Sequence, residues 1–183
     1  SPGNGEVNGT LSSGSTDSTG SDESGEVNDI HFTEVVTDPQ QDWSDTTGGD
    51  AIAFDSIVGT GTVGTTDEWI EIKNGRDETV DLTLWRLEML DGTDAAELFS
   101  SSSASFVFFD GGDINNFQPD EFLVIGNPSG DLKNEVTLQL FDGSDFLVDE
   151  LVIDDANASG ISDESYQLTD DGNWGMGEAT VGF

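Results

Sequence analysis

This sequence predicts an all-β protein, an antiparallel β-sandwich behind an extended low-complexity N-terminal arm. Three observations predict it. Short runs of β-branched, aromatic and aliphatic residues recur, several alternating apolar and polar at period two. Turn pairs such as Asn74-Gly75, Asp91-Gly92 and Asp142-Gly143 separate those runs. No stretch of ten or more residues carries a helical period.

Taken in order, residues 1–29 are Gly, Ser, Thr, Asp, Glu and Asn, with only Val7, Leu11 and Val27 apolar. Such a composition buries too little to offset chain entropy and reads as an arm or linker. GEVNGT at 5–10 returns as GEVNDI at 25–30, a short echo in a biased segment. The folded domain, residues 30–183, opens with IHFTEVV, a strand with Ile30, Phe32 and Val36 inward. A loop over 38–50 leads to a short strand over 51–58 and then a glycine- and threonine-rich loop. Residues 67–87, DEWIEIKNGRDETVDLTLWRL, hold the most distinctive text. Ile70 and Ile72 point one way, and Trp69, Glu71 and Lys73 the other. After the turn at Asn74-Gly75-Arg76-Asp77, Val80 and Leu82 alternate, then Trp85, Leu87 and Met89 alternate one position out of phase. A slip of one residue swaps faces, so a bulge or corner is expected near Leu84-Trp85. The two runs are expected to pair as antiparallel neighbours. FVFF at 106–109 is a further strand. EFLVIGN at 121–127, apolar on both faces, is a central one. VTLQLF, the turn Asp142-Gly143-Ser144-Asp145 and FLVDELVI form the clearest hairpin. A short strand around 166–168 precedes an irregular, aromatic-bearing end. Eight or nine short strands in this arrangement suggest a sandwich.

EWIEIKN followed by VDLTLWRL resembles the signature of the lamin-tail domain family. PDEFLVIGN resembles that family's following strand, and VTLQLFDGSDFLVDELV its hairpin, with the Val148-Asp149 pair. Glu178-Ala179-Thr180-Val181-Gly182 resembles the family's Ala-Thr-Pro-Gly close, with Val181 in place of the proline. Leu84 stands where the family often has glycine. The resemblance covers most of residues 30–182. It implies an immunoglobulin-like sandwich and an extracellular module of the kind often attached to nucleases, phosphoesterases or adhesins.

Charge narrows the setting. The chain has 39 Asp and Glu against four Lys and Arg, a formal charge of −35. Self-repulsion at that charge destabilises a compact state at low salt, and molar salt screens it by cutting the Debye length to about 3 Å. A halophile, most simply a salt-loving archaeon, is the expected source. Lys73, Arg76, Arg86 and Lys133 make no basic patch, so nucleic acid is not an expected partner. No cysteine is present, which removes disulfides, thiolate metal sites and cysteine catalysis. No apolar run reaches the length of a membrane span. The chain opens SPGNG, as an exported protein cleaved from its signal would, and an extracellular or cell-surface location is expected.

For chemistry, His31 is the single histidine and sits on the outward face of the first strand. A satisfied surface histidine is the ordinary reading of such a position. Gly59-Thr60-Gly61-Thr62-Val63-Gly64 has no following lysine and is not a phosphate loop. Glu68 and Glu71 alternate with core positions and need no catalytic role. No catalytic residue and no cofactor are expected. Calcium is the one ion the acidic turns could hold, through six to eight oxygens. Asp110 and Asp113, in Asp110-Gly111-Gly112-Asp113, are the candidate ligands, against the ordinary use of Asp-Gly as turn chemistry. Asn8 and Asn157 open the glycosylation sequons Asn8-Gly9-Thr10 and Asn157-Ala158-Ser159. Trp43, Trp174, Met176 and Phe183 lie outside clear strand pattern and either cover sheet edges or meet another copy. With Glu26, Val27, Asn28 and Asp29 of the arm, expected to pair through the main chain, they form the candidate subunit interface. The chain is thus expected to be a secreted, non-catalytic structural protein, a self-assembling subunit of a filament or surface layer. The rival is a monomeric surface module that binds glycan or calcium.

Overall fold

The computed structural model describes residues 29–44, 54, 63–90, 95–97, 99, 104–128, 132–157, 160 and 164–183. Alternating apolar residues need two surfaces to close on, and here two antiparallel sheets supply them. The larger has six strands. They are β1 (Ile30–Val36), β2 (Trp69–Asn74), β5 (Ser105–Phe108), β6 (Phe122–Gly126), β9 (Glu164–Leu168) and β10 (Trp174–Glu178), in the order β10-β9-β1-β2-β6-β5. The smaller has β3 (Arg86–Leu90), β4 (Ala95–Glu97), β7 (Val136–Phe141) and β8 (Leu147–Ile153), in the order β4-β3-β7-β8. Every pairing is antiparallel. A single 3₁₀ turn, Thr65–Asp67, is the one helical element among the described residues. The chain is a two-layer β-sandwich.

The core between the sheets is built by period two. Ile70 and Ile72 of β2, Leu123 and Ile125 of β6, Leu87 and Met89 of β3, and Leu138 and Leu140 of β7 face one another there. The outer face of the larger sheet is also covered. Val36, Trp69 and Val124 lie beneath Trp43, Phe54 and Val181 as a second apolar cluster. That explains the doubly apolar text of β6, which runs between β2 and β5 as a central strand.

Several sequence expectations change here. Residues 69–74 and 86–90 do not pair; β2 bonds to β1 and β6, while β3 belongs to the other sheet. The connection crosses the sandwich. Val80 bridges to Phe117, and a turn at Thr83-Leu84 closes with the Trp85 amide donating to the Leu82 carbonyl. The expected corner at Leu84-Trp85 is therefore present, but it joins layers and not a hairpin. Val36 faces the outer cluster and Val35 the core, because a register shift between Phe32 and Glu34 reverses the alternation. The Phe32 amide donates to Asp149 Oδ2 of β8 at 2.8 Å, tying the two sheets together. The β7–β8 hairpin forms as read. Asp142 Oδ1 accepts the Ser144 and Phe146 amides, and Asp145 takes φ +63°. The end of the chain is more regular than expected, since β10 pairs with β9 along its length. The strand expected over 51–58 lies outside the described residues except for Phe54, which is buried.

Candidate functional site

A cleft of about 480 Å³ opens on the outer face of the larger sheet. β1 and β2 form its floor, the turn between β9 and β10 one wall, and residues 180–183 another. Glu34 and Glu71 are direct cross-strand partners on this floor, each only 1% exposed. Glu34 Oε1 accepts the Thr180 amide at 2.8 Å and the Ser165 hydroxyl. Glu71 Oε1 accepts the Thr33 hydroxyl at 2.6 Å, and its Oε2 accepts the Gly182 amide at 2.7 Å. Burial pushes the Glu71 carboxyl up to about 7, against the lowering effect of its two hydrogen bonds. Burial raises Glu34 as well. Gly182 takes φ +76° where its amide turns toward Glu71, a backbone that L side chains rarely adopt.

The pair belongs to a wider pattern of carboxylates that bind loop amides. Glu121, fully buried, accepts the Asp110 and Gly112 amides on Oε1 and the Gln118 amide on Oε2. Asp67, also fully buried, accepts the Trp43, Ser44 and Gly64 amides. Glu68 Oε2 accepts the Leu132 amide at 2.7 Å. A chain with four Lys and Arg cannot pair all its buried acids with cations, and main-chain N–H groups take that role. Each of these carboxylates closes a loop onto a sheet.

Lys73, Arg76 and His31 stand around this cleft. Arg76 bonds Asp29 at 2.7 Å and lies 5.4 Å over the Trp85 ring. Lys73 bonds Asp120 at 3.5 Å and lies over Phe122. His31 is on the outer face as its register places it, but only 9% exposed, with Nδ1 donating to the Asp29 carbonyl.

The sequence-derived candidates fall in different places. Asp110 and Asp113 are both exposed. Asp113 Oδ1 accepts the Asn115 amide at 2.8 Å in a local turn. The organising acid of that loop is Glu121 beneath it. A Cβ on Gly112 would come within 2.1 Å of Glu121 Oε2, so only glycine fits there. Among the described residues, no group of three or more His, Asp or Glu is placed to hold a metal ion. Asn157 is exposed, while Asn8, Glu26, Val27, Asn28 and the turn Asp91-Gly92-Thr93-Asp94 lie outside the described residues. Asp29 is spent within the fold, on Arg76 and on the Ile30 amide.

Trp43 is a correction. It is 0% exposed and packs edge-on against Trp69, ring centroids 5.5 Å apart, so it has no surface to offer a second subunit. Its loop folds back because Asp67 captures its amide. Trp174 stacks on Tyr166 at 5.4 Å and is half-buried. Met176 and Phe183 are exposed, Phe183 at 91% beside the cleft. The buried carboxylates are what sequence reasoning missed. Period alone puts Glu71 on the face opposite Ile70 and Ile72, and the C-terminal segment covers that face. An acid inside a strand flanked by tryptophan and isoleucine was the available signal.

Comparison with family models, with curated proteins and with solved structures returns no match. Among the described residues, no helix is long and apolar enough to cross a membrane.

Proposed function

We propose that this chain is an extracellular, non-catalytic structural sandwich of a halophile that assembles with copies of itself into a filament or surface layer. The observation that carries the reading is the edge strand β8. It leaves one row of main-chain groups open, and Leu147 and Val152 on it are 49% and 55% exposed, with Phe146 just before it at 72%. Monomeric sandwiches ordinarily guard such edges with charge or a bulge. β8 carries such a bulge near its start, where its register with β7 shifts at Leu140/Phe141. Its acids guard it only in part, since Asp149 turns inward to the Phe32 amide and Glu150 pairs with Gln139. A second copy adding β8 to β8 would extend the four-stranded sheet through an isologous contact that closes as a pair. A further contact at another edge, such as β10 with its exposed Met176, would carry such pairs into a filament or layer. The occupation of the buried carboxylates by main-chain amides supports the non-catalytic part. The lamin-tail-like text of residues 67–87 and the acidic composition support the extracellular, salt-loving part.

Electron microscopy and sedimentation of the purified chain in molar salt test this. Assemblies are expected, and the double variant L147K/V152K is expected to abolish them while folding normally. Monomeric wild-type particles at high concentration would end the assembly reading. A second reading, a monomeric module that grips a saccharide, is favoured by the cleft, where exposed Phe183 stands beside buried carboxyl groups. It requires saturable sugar binding by a monomer.

A further inference from the structure

We propose that Glu34 and Glu71 form a proton-operated clasp, which holds residues 180–183 on the outer face of the larger sheet and loosens them as pH rises. The geometry is specific to this pair. The two carboxyl groups are direct partners on adjacent strands, and each binds one amide of the same short segment, Thr180 for Glu34 and Gly182 for Glu71. Each also takes one hydroxyl from the sheet, Ser165 of β9 or Thr33 of β1. These two acids therefore share a single cover, and a change of charge on either acts on that cover.

The surrounding charge does not neutralise them. His31 of β1 and Lys73 of β2 line the same cleft, with Arg76, Asp77, Asp120 and Asp170 at its rim. Lys73 is engaged by Asp120 and Arg76 by Asp29, so both cations are held by other carboxylates. β6 places Val124 beside Glu71, and β9 places Ser165 and Gln167 beside Glu34, none of which titrates. With both acids ionised, two negative charges lie opposite each other under the segment, away from water. Burial favours the protonated form of both, and for Glu71 the midpoint is brought to about 7. The sign follows: the covered state holds its proton up to about pH 7, whereas an uncovered glutamate loses it near 4.5. Raising the pH through that interval favours uncovering. Release would also withdraw Ala179 and Val181 from the apolar cluster of Val36, Trp69 and Val124.

Amide hydrogen exchange by NMR, at constant molar salt and between about pH 5 and about pH 8, reads this directly. Protection factors of the Thr180 and Gly182 amides, already corrected for base catalysis, are expected to fall by several tens of fold. Leu138, in the middle of β7, serves as the reference amide. E71Q keeps a carbonyl acceptor without the titration and is expected to remove most of the fall. Protection that is flat or rises with pH would overturn the clasp, as would an equal fall at Leu138. The Glu71 carboxyl carbon of the unaltered protein is the independent check. A midpoint near 7 supports the proposal, and one near 4.5 sinks it whether or not E71Q folds.

Discussion

Removal of the Glu121 carboxylate tests the principle that buried acids hold this fold together through main-chain amides. Glu121 is 0% exposed and accepts three N–H groups, from Asp110 at 3.1 Å and from Gly112 and Gln118 at 2.8 Å each. Glu121→Ala leaves all three donors without their acceptor in a part-buried loop. An unsatisfied buried donor costs about 1–3 kcal/mol, which puts the loss at roughly 4 kcal/mol after partial relaxation of the loop. Glu121→Gln retains one carbonyl oxygen, able to serve the Asp110 and Gly112 amides together. Its own NH₂ then faces the Gln118 amide, and the expected loss is about 2 kcal/mol. Gly112→Ala places a methyl group 2.1 Å from Glu121 Oε2 and 2.6 Å from the Asn116 carbonyl. It should therefore destabilise the same loop, and combining it with Glu121→Ala should be less than additive because one of the two clashes disappears. Equilibrium urea unfolding in molar salt, followed by tryptophan fluorescence, gives these values. A cost below about 1 kcal/mol for Glu121→Ala, or equal costs for the Ala and Gln variants, would refute the reasoning.

Three further outcomes are expected. Global stability should fall as pH rises from about 4.5 to about 7, because Glu71 binds its proton more tightly when folded. The loss from this group is at most about 3 kcal/mol, and Glu71→Gln should flatten the slope in urea titrations across that interval. Trp43→Ala should cost about 3–5 kcal/mol through the void left against Trp69, whereas Met176→Ala, on an exposed edge position, should stay within about 0.5 kcal/mol; thermal unfolding of both variants checks the contrast. The unfolding midpoint should climb steeply from low to molar sodium chloride, because a charge of −35 is then screened; a midpoint indifferent to salt would remove the halophile argument.

Much of the architecture was legible in the text. The period-two runs of β2, β7 and β8 and the unbroken apolar run of β6 depend on nearest neighbours, and the Asp142–Asp145 turn is local, so strand identity and the β7–β8 hairpin followed directly. The pairing of residues 69–74 with 86–90 failed for a physical reason. Adjacent strands usually pair, but Trp85, Leu87 and Met89 need a layer to face, and the core between the sheets provides it. The candidate site was far less legible. Alternation places Glu34 and Glu71 on the face opposite the core, yet nothing local says that residues 179–182 return to cover that face. Trp43 likewise has no strand pattern, and its burial depends on Asp67, 24 positions away.

From its own text, then, the chain determines an all-β fold, its strands and turns, and an acidity that excludes a basic binding surface. Those properties reside in short-range alternation and in composition. The tertiary structure decided which strands share a sheet, that the larger sheet is buried on both faces, and what the acids inside it bind. Strand pairing and burial join residues far apart in sequence, and a carboxylate is a surface charge or a structural tie according to what folds over it.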